Sequence, residues 1–318
     1  MPFPASSWII PLLIGLLALS PATAHAGMTP EEVKGFDENK MKGERGEPDA
    51  QFSVGLAYYY GSGIKKDNEL AVSWTRKAAE QRHANAQYVL GSMLESGEGT
   101  IRDLVQAVSW YRKAADQGHA AAQASLGYWH QIGDGVTKDL DQAIFWHRKA
   151  AEQGNLMAQN NLAYSFQHGQ GTERDYAKAV YWYRKAAELG YSKAQQGLGV
   201  CYYNGIGVTK DYEQAVYWYR KAAEQGNAGA QYNLAICLYF GYGVSKDEIE
   251  AYAYFNLAGI REEGARKNLI ILEEKMSPEA RLIGQQRTKQ LQKEVDDKLA
   301  TAQDLIQAIE KEKQRKGI

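Results

Sequence analysis

The dipeptide Ala-Gln stands at 50–51, 86–87, 122–123, 158–159, 194–195 and 230–231, and every step is 36 residues. Trp74, Trp110, Trp146, Trp182 and Trp218 keep the same step, with Tyr254 in the sixth place. Gly-x-Gly recurs at Gly61, Gly97, Gly133, Gly169, Gly205 and Gly241, and Asp at 67, 103, 139, 175, 211 and 247. No insertion or deletion breaks the phase. A unit this short cannot bury a core alone, so its copies must stack, and the chain is constrained to a one-dimensional array.

Each unit reads as two helices. In the second, Ala86, Val89, Leu90, Met93 and Leu94 share one face at helical spacing. Gly97 and Gly99 end that helix, because a left-handed stop suits glycine. Asp103 caps the next helix, and Gln106 is placed to return a bond in a capping box. Gln142, Gln214 and Glu250 repeat that position. The second helix runs to Gln117, closed by Gly118. Ala107, Val108, Tyr111, Ala114 and Ala115 form its packing arc, Trp110 lies at the arc's edge, and Arg112, Lys113 and Asp116 point to solvent. The five tryptophans and the caps Asp103, Asp139 and Asp211 are therefore structural residues.

The ends differ, as capping units should. Pro30 to Lys42 reads as a lone helix of the second type. After the sixth copy, W-Y-R-K becomes Tyr254-Phe255-Asn256-Leu257, so an outward lysine is replaced by Leu257, which needs a cover. The expected cover is a helix around Ala265 to Lys275 and another from Ser277-Pro278 to about residue 314. Along the last, Leu291, Val295, Leu299, Ala302, Ile306 and Ile309 form a stripe. Packing back on the array is preferred for it over a dimerising coiled coil, since the heptads are few and irregular. The final KEKQRKGI is a solvated basic end.

A-x-A-Q-x-x-L-G, G-x-G-V-x-K-D and A-V-x-W-Y-R-K-A-A-E-Q-G together resemble the Sel-one-like repeat, the 36-residue relative of the tetratricopeptide repeat, across roughly residues 30 to 285. ARKNLIILEEKMSPEA is similar to the cap of many bacterial members. The resemblance implies an all-α, right-handed solenoid whose first helices line a concave face, and a role as an adaptor holding protein partners. The organisation is then a signal peptide at 1–26 and a capping helix at 27–49. Six repeats follow at 50–85, 86–121, 122–157, 158–193, 194–229 and 230–265, and caps with a basic tail fill 266–318.

Signs of catalysis are missing from the sequence. His130 and His147 occupy phases where other units carry Tyr, Phe, Leu or Thr, so they are packing substitutions and not metal ligands. No HExxH, Cys-x-x-Cys or Gly-Lys-Ser/Thr phosphate loop occurs. Cysteine-rich members of the family have been considered as β-lactam-binding proteins. Here Ser62-Gly63-Ile64-Lys65 spells S-x-x-K, but in a glycine turn and without S-D-N or K-T-G. Cys201 and Cys237 lie one period apart. Stacked helices hold such positions about 8–10 Å apart, and a disulfide needs less than about 7 Å. Two buried thiols are therefore favoured over a bridge. No cofactor, no metal and no enzyme activity are expected.

A partner site is expected on the face of the first helices that packing leaves over. Its residues vary between units: Phe52, Tyr59, Tyr60, Tyr88, Glu95, Tyr128, Gln131, Asn160, Tyr164, Gln167, Tyr203, Asn204, Tyr232 and Tyr239. These phases match the groove-lining ones of tetratricopeptide repeats. Tyrosine offers wide contact, one hydrogen bond and little entropy to lose. An aromatic ladder with a polar middle fits a peptide or partner helix. The net charge of −1 and a groove nearly free of Lys and Arg argue against nucleic acid.

Trp8 to Leu19 is an apolar run of signal-peptide length, followed by Ala24-His25-Ala26 or Ala22-Thr23-Ala24 as cleavage site, though no Lys or Arg precedes Trp8. An uncleaved anchor is the alternative; no later segment is long enough to span a bilayer. The expectation is a periplasmic or secreted scaffold, monomeric or weakly dimeric through its C-terminal helix. A cell-wall or β-lactam-binding envelope protein, or a secreted host-factor-binding virulence protein, is the alternative.

Overall fold

A computed structural model describes residues 30–316, with side chains from 32 to 304. The expected signal peptide at 1–26 and the final residues lie outside, as do the side chains of Ile306, Ile309 and the basic end. The helices, in chain order, are α1 Pro30–Glu44, α2 Pro48–Tyr60, α3 Asn68–Glu80, α4 Ala84–Ser96, α5 Leu104–Asp116, α6 Ala120–Ile132, α7 Leu140–Glu152 and α8 Leu156–His168. There follow α9 Tyr176–Glu188, α10 Ser192–Asn204, α11 Tyr212–Ala223, α12 Ala228–Phe240, α13 Glu248–Gly259, α14 Glu263–Lys275 and α15 Pro278–Lys316. No strand occurs among the described residues. The chain forms two compact units, one ending at Ala158 and the other starting at Gln159.

Each repeat is built the same way. Asp67, Asp103, Asp139, Asp175 and Asp211 accept a hydrogen bond from the backbone N–H three residues on, at 2.9–3.0 Å. Asp247 accepts from Ile249 and Glu250. The capping box takes another form than expected. Gln106 Nε2 reaches the Asp103 carboxylate at 2.8 Å instead of the cap's backbone N–H. Glu250 does not close a box; both its oxygens go to Arg287.

Glycine is required where the helices of a repeat touch. A Cβ on Gly91 would lie 2.8 Å from the Tyr111 ring. The loop glycine Gly99, at φ 70°, abuts the Asn68 backbone. In the first unit the core runs through Val54, Leu90, Tyr111, Leu126 and Trp129. In the second it includes Tyr219, Leu234, Tyr252, Phe255 and Leu272.

The repeated Ala-Gln has a role that spacing alone did not reveal. Gln87 is buried; its Nε2 donates to the Ala79 carbonyl at 3.0 Å, and its Oε1 accepts from Gln117 at 2.7 Å. Gln51, Gln123 and Gln195 do the same with Gln81, Gln153 and Gln225. One carboxamide thus ties the preceding second helix, its own first helix and the end of its own second helix. Buried amides are stable only when paired in this way.

Trp74, Trp146 and Trp218 are buried, while Trp110 and Trp182 are half-buried at the edge. The lysine three residues on caps each of four of these rings, 3.6 Å from the centroid for Lys113 on Trp110 and 4.0 Å for Lys77 on Trp74. That lysine is exposed but not merely solvated. Its stem and charge cover indole.

At the C-terminal end α14 takes the place of a seventh first helix. α15 packs along α13 and covers Leu257, with Leu291 and Val295 buried. Arg287 holds Glu250 at 2.7 and 3.0 Å, and Lys298 meets Glu224 at 2.7 Å. The stripe packs back only to this point: Leu299 is 46% exposed, and Ala302 is exposed too.

Candidate functional site

In the first unit the expected partner residues divide by burial. Phe52 is half-buried, its ring 4.7 Å from that of His83. Tyr59 is buried and donates to Glu98 Oε2 at 2.7 Å, with Tyr60 edge-on to it. Tyr88 is 5% exposed, stacked 4.8 Å from His119. Burial pushes its hydroxyl up to about 12. Glu95 is half-buried and accepts from Tyr111 Oη at 2.7 Å; burial raises its pKa, and the Tyr111 bond opposes the rise. Tyr128 lies half-buried, edge-on to Trp129, and Gln131 is half-buried.

The second unit is more open. Asn160 is half-buried, and Tyr164 is 41% exposed with His168 against its ring at 4.2 Å. Gln167 accepts from Tyr183 at 3.1 Å. Tyr203 meets Tyr212 and Tyr242 edge-on, and those two stack at 5.0 Å. Phe240 continues the stack on Tyr242 at 5.5 Å and is 58% exposed. Asn204 is exposed. Tyr232 accepts from Asn268, and Tyr239 accepts from Lys275 at 2.8 Å.

The ladder is therefore not a row of free rings. Tyr59 and Tyr88 are wall, with hydroxyl or face turned inward. Tyr164 and Phe240 offer the most ring surface, and Tyr128, Tyr203, Tyr232 and Tyr239 stand between. Phe240 is also within reach of the first-helix phase, but the half-buried Tyr212 and Tyr242 that stack with it come from a helix start and a loop, where that phase carries no signal.

Two histidines have a local role that the sequence reading left open. His83 and His119 cap α4 and α6, their Nδ1 atoms accepting from Ala86 and Ala122 at 3.0 and 3.1 Å. His130 is buried with Nε2 2.9 Å from Arg112, and His147 is fully buried. Burial drives the His147 pKa down to about 4. Among the described residues no three metal-ligating side chains gather. No described helix is long and apolar enough to cross a membrane. Cys201 and Cys237 are buried free thiols, pushed up to about 11 and about 12 by burial. Ser62 sits half-buried in its turn.

Paired helices repeated without interruption, with a variable face on the first helix of each pair, define an α-solenoid repeat protein. The Sel1 repeat model matches six times, at 48–83, 84–119, 120–155, 156–191, 192–227 and 228–260, and the chain belongs to the Sel1 repeat family. It is similar to c5321, described as a protective antigen present in uropathogenic Escherichia coli strains that displays an SLR fold. That likeness has 34% identity and a TM-score of 0.79, covering 86% of this chain and 59% of the antigen. This chain thus spans under two thirds of that protein. A Sel1 repeat protein from Oxalobacter formigenes is 36% identical, with a TM-score of 0.64 over 73% of this chain and 88% of its own. No curated protein matches. Proteins of this repeat class are generally protein-interaction scaffolds without enzymatic activity.

Proposed function

We propose that this chain is an exported, non-enzymatic scaffold that holds an extended protein segment or helix on the variable face of its first helices. The observation that carries the reading is the contrast within each helix. Packing positions repeat from unit to unit, while the opposite phases change and carry rings beside amides. Tyr164 at 41% exposure and Phe240 at 58% are where such a segment finds aromatic surface. Rings already held by neighbours lose little freedom when a partner arrives. The placement in periplasm or medium rests on the apolar run Trp8–Leu19 and the alanines after it.

The test is crosslinking in the envelope, followed by direct titration of the purified partner against wild type and Tyr128→Ala, Tyr164→Ala and Phe240→Ala variants. Weakening by about tenfold or more at one of these rings, with unchanged melting, supports the reading. A partner that binds all variants equally, or covalent labelling of Ser62 by a penicillin probe, overturns it.

A further inference from the structure

The end of the second unit leaves a face bare that every complete repeat covers. Leu90, Leu126, Leu162, Leu198 and Leu234 hold one phase of the first helices and are 0% exposed. In complete repeats the second helix of the same repeat packs on that side. α14 is seated as a further first helix: Ala265 and Leu272 are buried, and Asn268 and Lys275 bond Tyr232 and Tyr239. Its own second helix is missing, because α15 departs after a two-residue turn and lies along α13. Leu269 takes the phase of those leucines and is half-buried, while Ile270, at the phase where Gly91, Gly127 and Gly199 meet a ring of the second helix, is 56% exposed, and Ile271 beside it is 48% exposed. A terminal repeat ordinarily presents a polar outer face.

We infer that this face is a self-association surface, taken by α14 of a second copy in antiparallel, two-fold symmetric pairing. Lys267, Ile270, Ile271 and Glu274 fall at i, i+3, i+4 and i+7, on one side of α14. A two-fold axis passing between Ile270 and Ile271 lays the isoleucines of both copies together. The same axis sets Lys267 against Glu274 of the partner subunit, and Glu274 against Lys267 of the partner subunit. The face is complementary to itself, which is the requirement for an isologous interface. Head-to-tail joining through α1 does not fit. At the phases where second helices carry Ala107, Tyr111 and Ala114, α1 has Gly35, Asn39 and Lys42, a polar outer face. Ile271 falls at the repeat phase of Tyr128 and Tyr164 on the variable face, but the pairing uses α14 alone and does not depend on those rings.

Sedimentation equilibrium on the purified full chain tests this. Two isoleucines per copy and two rim ion pairs should give a reversible dimer with a dissociation constant on the order of 10–100 µM. Ile270→Glu should abolish it. Lys267→Glu and Glu274→Lys should each weaken it by about fivefold or more, since each puts like charges opposite one another. The double exchange Lys267→Glu/Glu274→Lys should restore wild-type association within about twofold, because it swaps the pairs without losing them. All four side chains are exposed, and the ion pair of Lys267 with Glu263, at 2.7 Å, is a surface one, so helicity and melting should change little. A wild-type chain that stays monomeric at several hundred micromolar, or a double exchange no better than its single variants, overturns the inference.

Discussion

His147 offers the sharpest test of how this array tolerates a polar substitution. Its imidazole is fully buried in the first unit, and neither ring nitrogen has a hydrogen-bond partner. It stands at the phase of Tyr111, Tyr183 and Tyr219, against Gly127, just as Tyr111 stands against Gly91. Burial holds its pKa near 4, against about 6.5 for a free imidazole. The sign follows from proton binding. Above about pH 6.5 the ring is neutral in both states and contributes no pH dependence. Below it the unfolded chain binds a proton that the folded chain refuses, so stability falls as pH drops, until the folded pKa is reached. A difference of about 2.5 pH units at about 1.4 kcal/mol each gives a loss on the order of 3 kcal/mol.

The perturbation is His147→Tyr, which supplies the ring that other repeats use and removes the titration. Urea unfolding followed by circular dichroism, at about pH 7 and about pH 4.5, measures both terms. At neutral pH the variant should be more stable by about 1–3 kcal/mol, since two unpaired buried nitrogens are gone. Toward acid the gap should widen by about 2–3 kcal/mol. Comparing variant with wild type cancels His119, His130 and His168, whose pKa values are also lowered, chiefly by burial. A gap that stays constant with pH would refute the reasoning, whatever its size at neutrality.

Three further outcomes follow from the repeat architecture. Arg82 has φ 67°, at a phase where the next four repeats use glycine, so Arg82→Gly should stabilise the first unit by about 1 kcal/mol in the same assay. Gln153→Ala removes one bond to Gln123 and should cost about 1 kcal/mol. Gln123→Ala removes that bond and also the one to the Ala115 carbonyl, which keeps its bond from the Gly118 N–H, and should cost about 2–3 kcal/mol; equal losses for the two would show that the carboxamide does not bridge the helices. Cys201 and Cys237 should resist an aromatic disulfide reagent at mildly alkaline pH until the chain is unfolded, and rapid labelling of the native protein would contradict their raised pKa values.

The residues alone determined the helical pairs, their caps and the family, because each rests on local or periodic chemistry. Asp103 caps α5 through a bond three residues away. Gly97 ends α4 at φ 76°. Leu90 recurs at one phase because every copy has the same neighbour. Only the tertiary structure decided what depends on distant groups. Tyr88 and Tyr164 both read as rings of the variable face, yet one is sealed by His119 and the other is open. Glu250 reads as a capping residue until Arg287, 37 positions on, takes both its oxygens. The repeated glutamines show their purpose only when three helices meet around one carboxamide. The bare face of α14 exists because α15 leaves for α13, a choice made by Leu291, Val295 and Arg287 finding partners there. Periodicity determines which surfaces a repeat must cover; the fold decides which remain for another molecule.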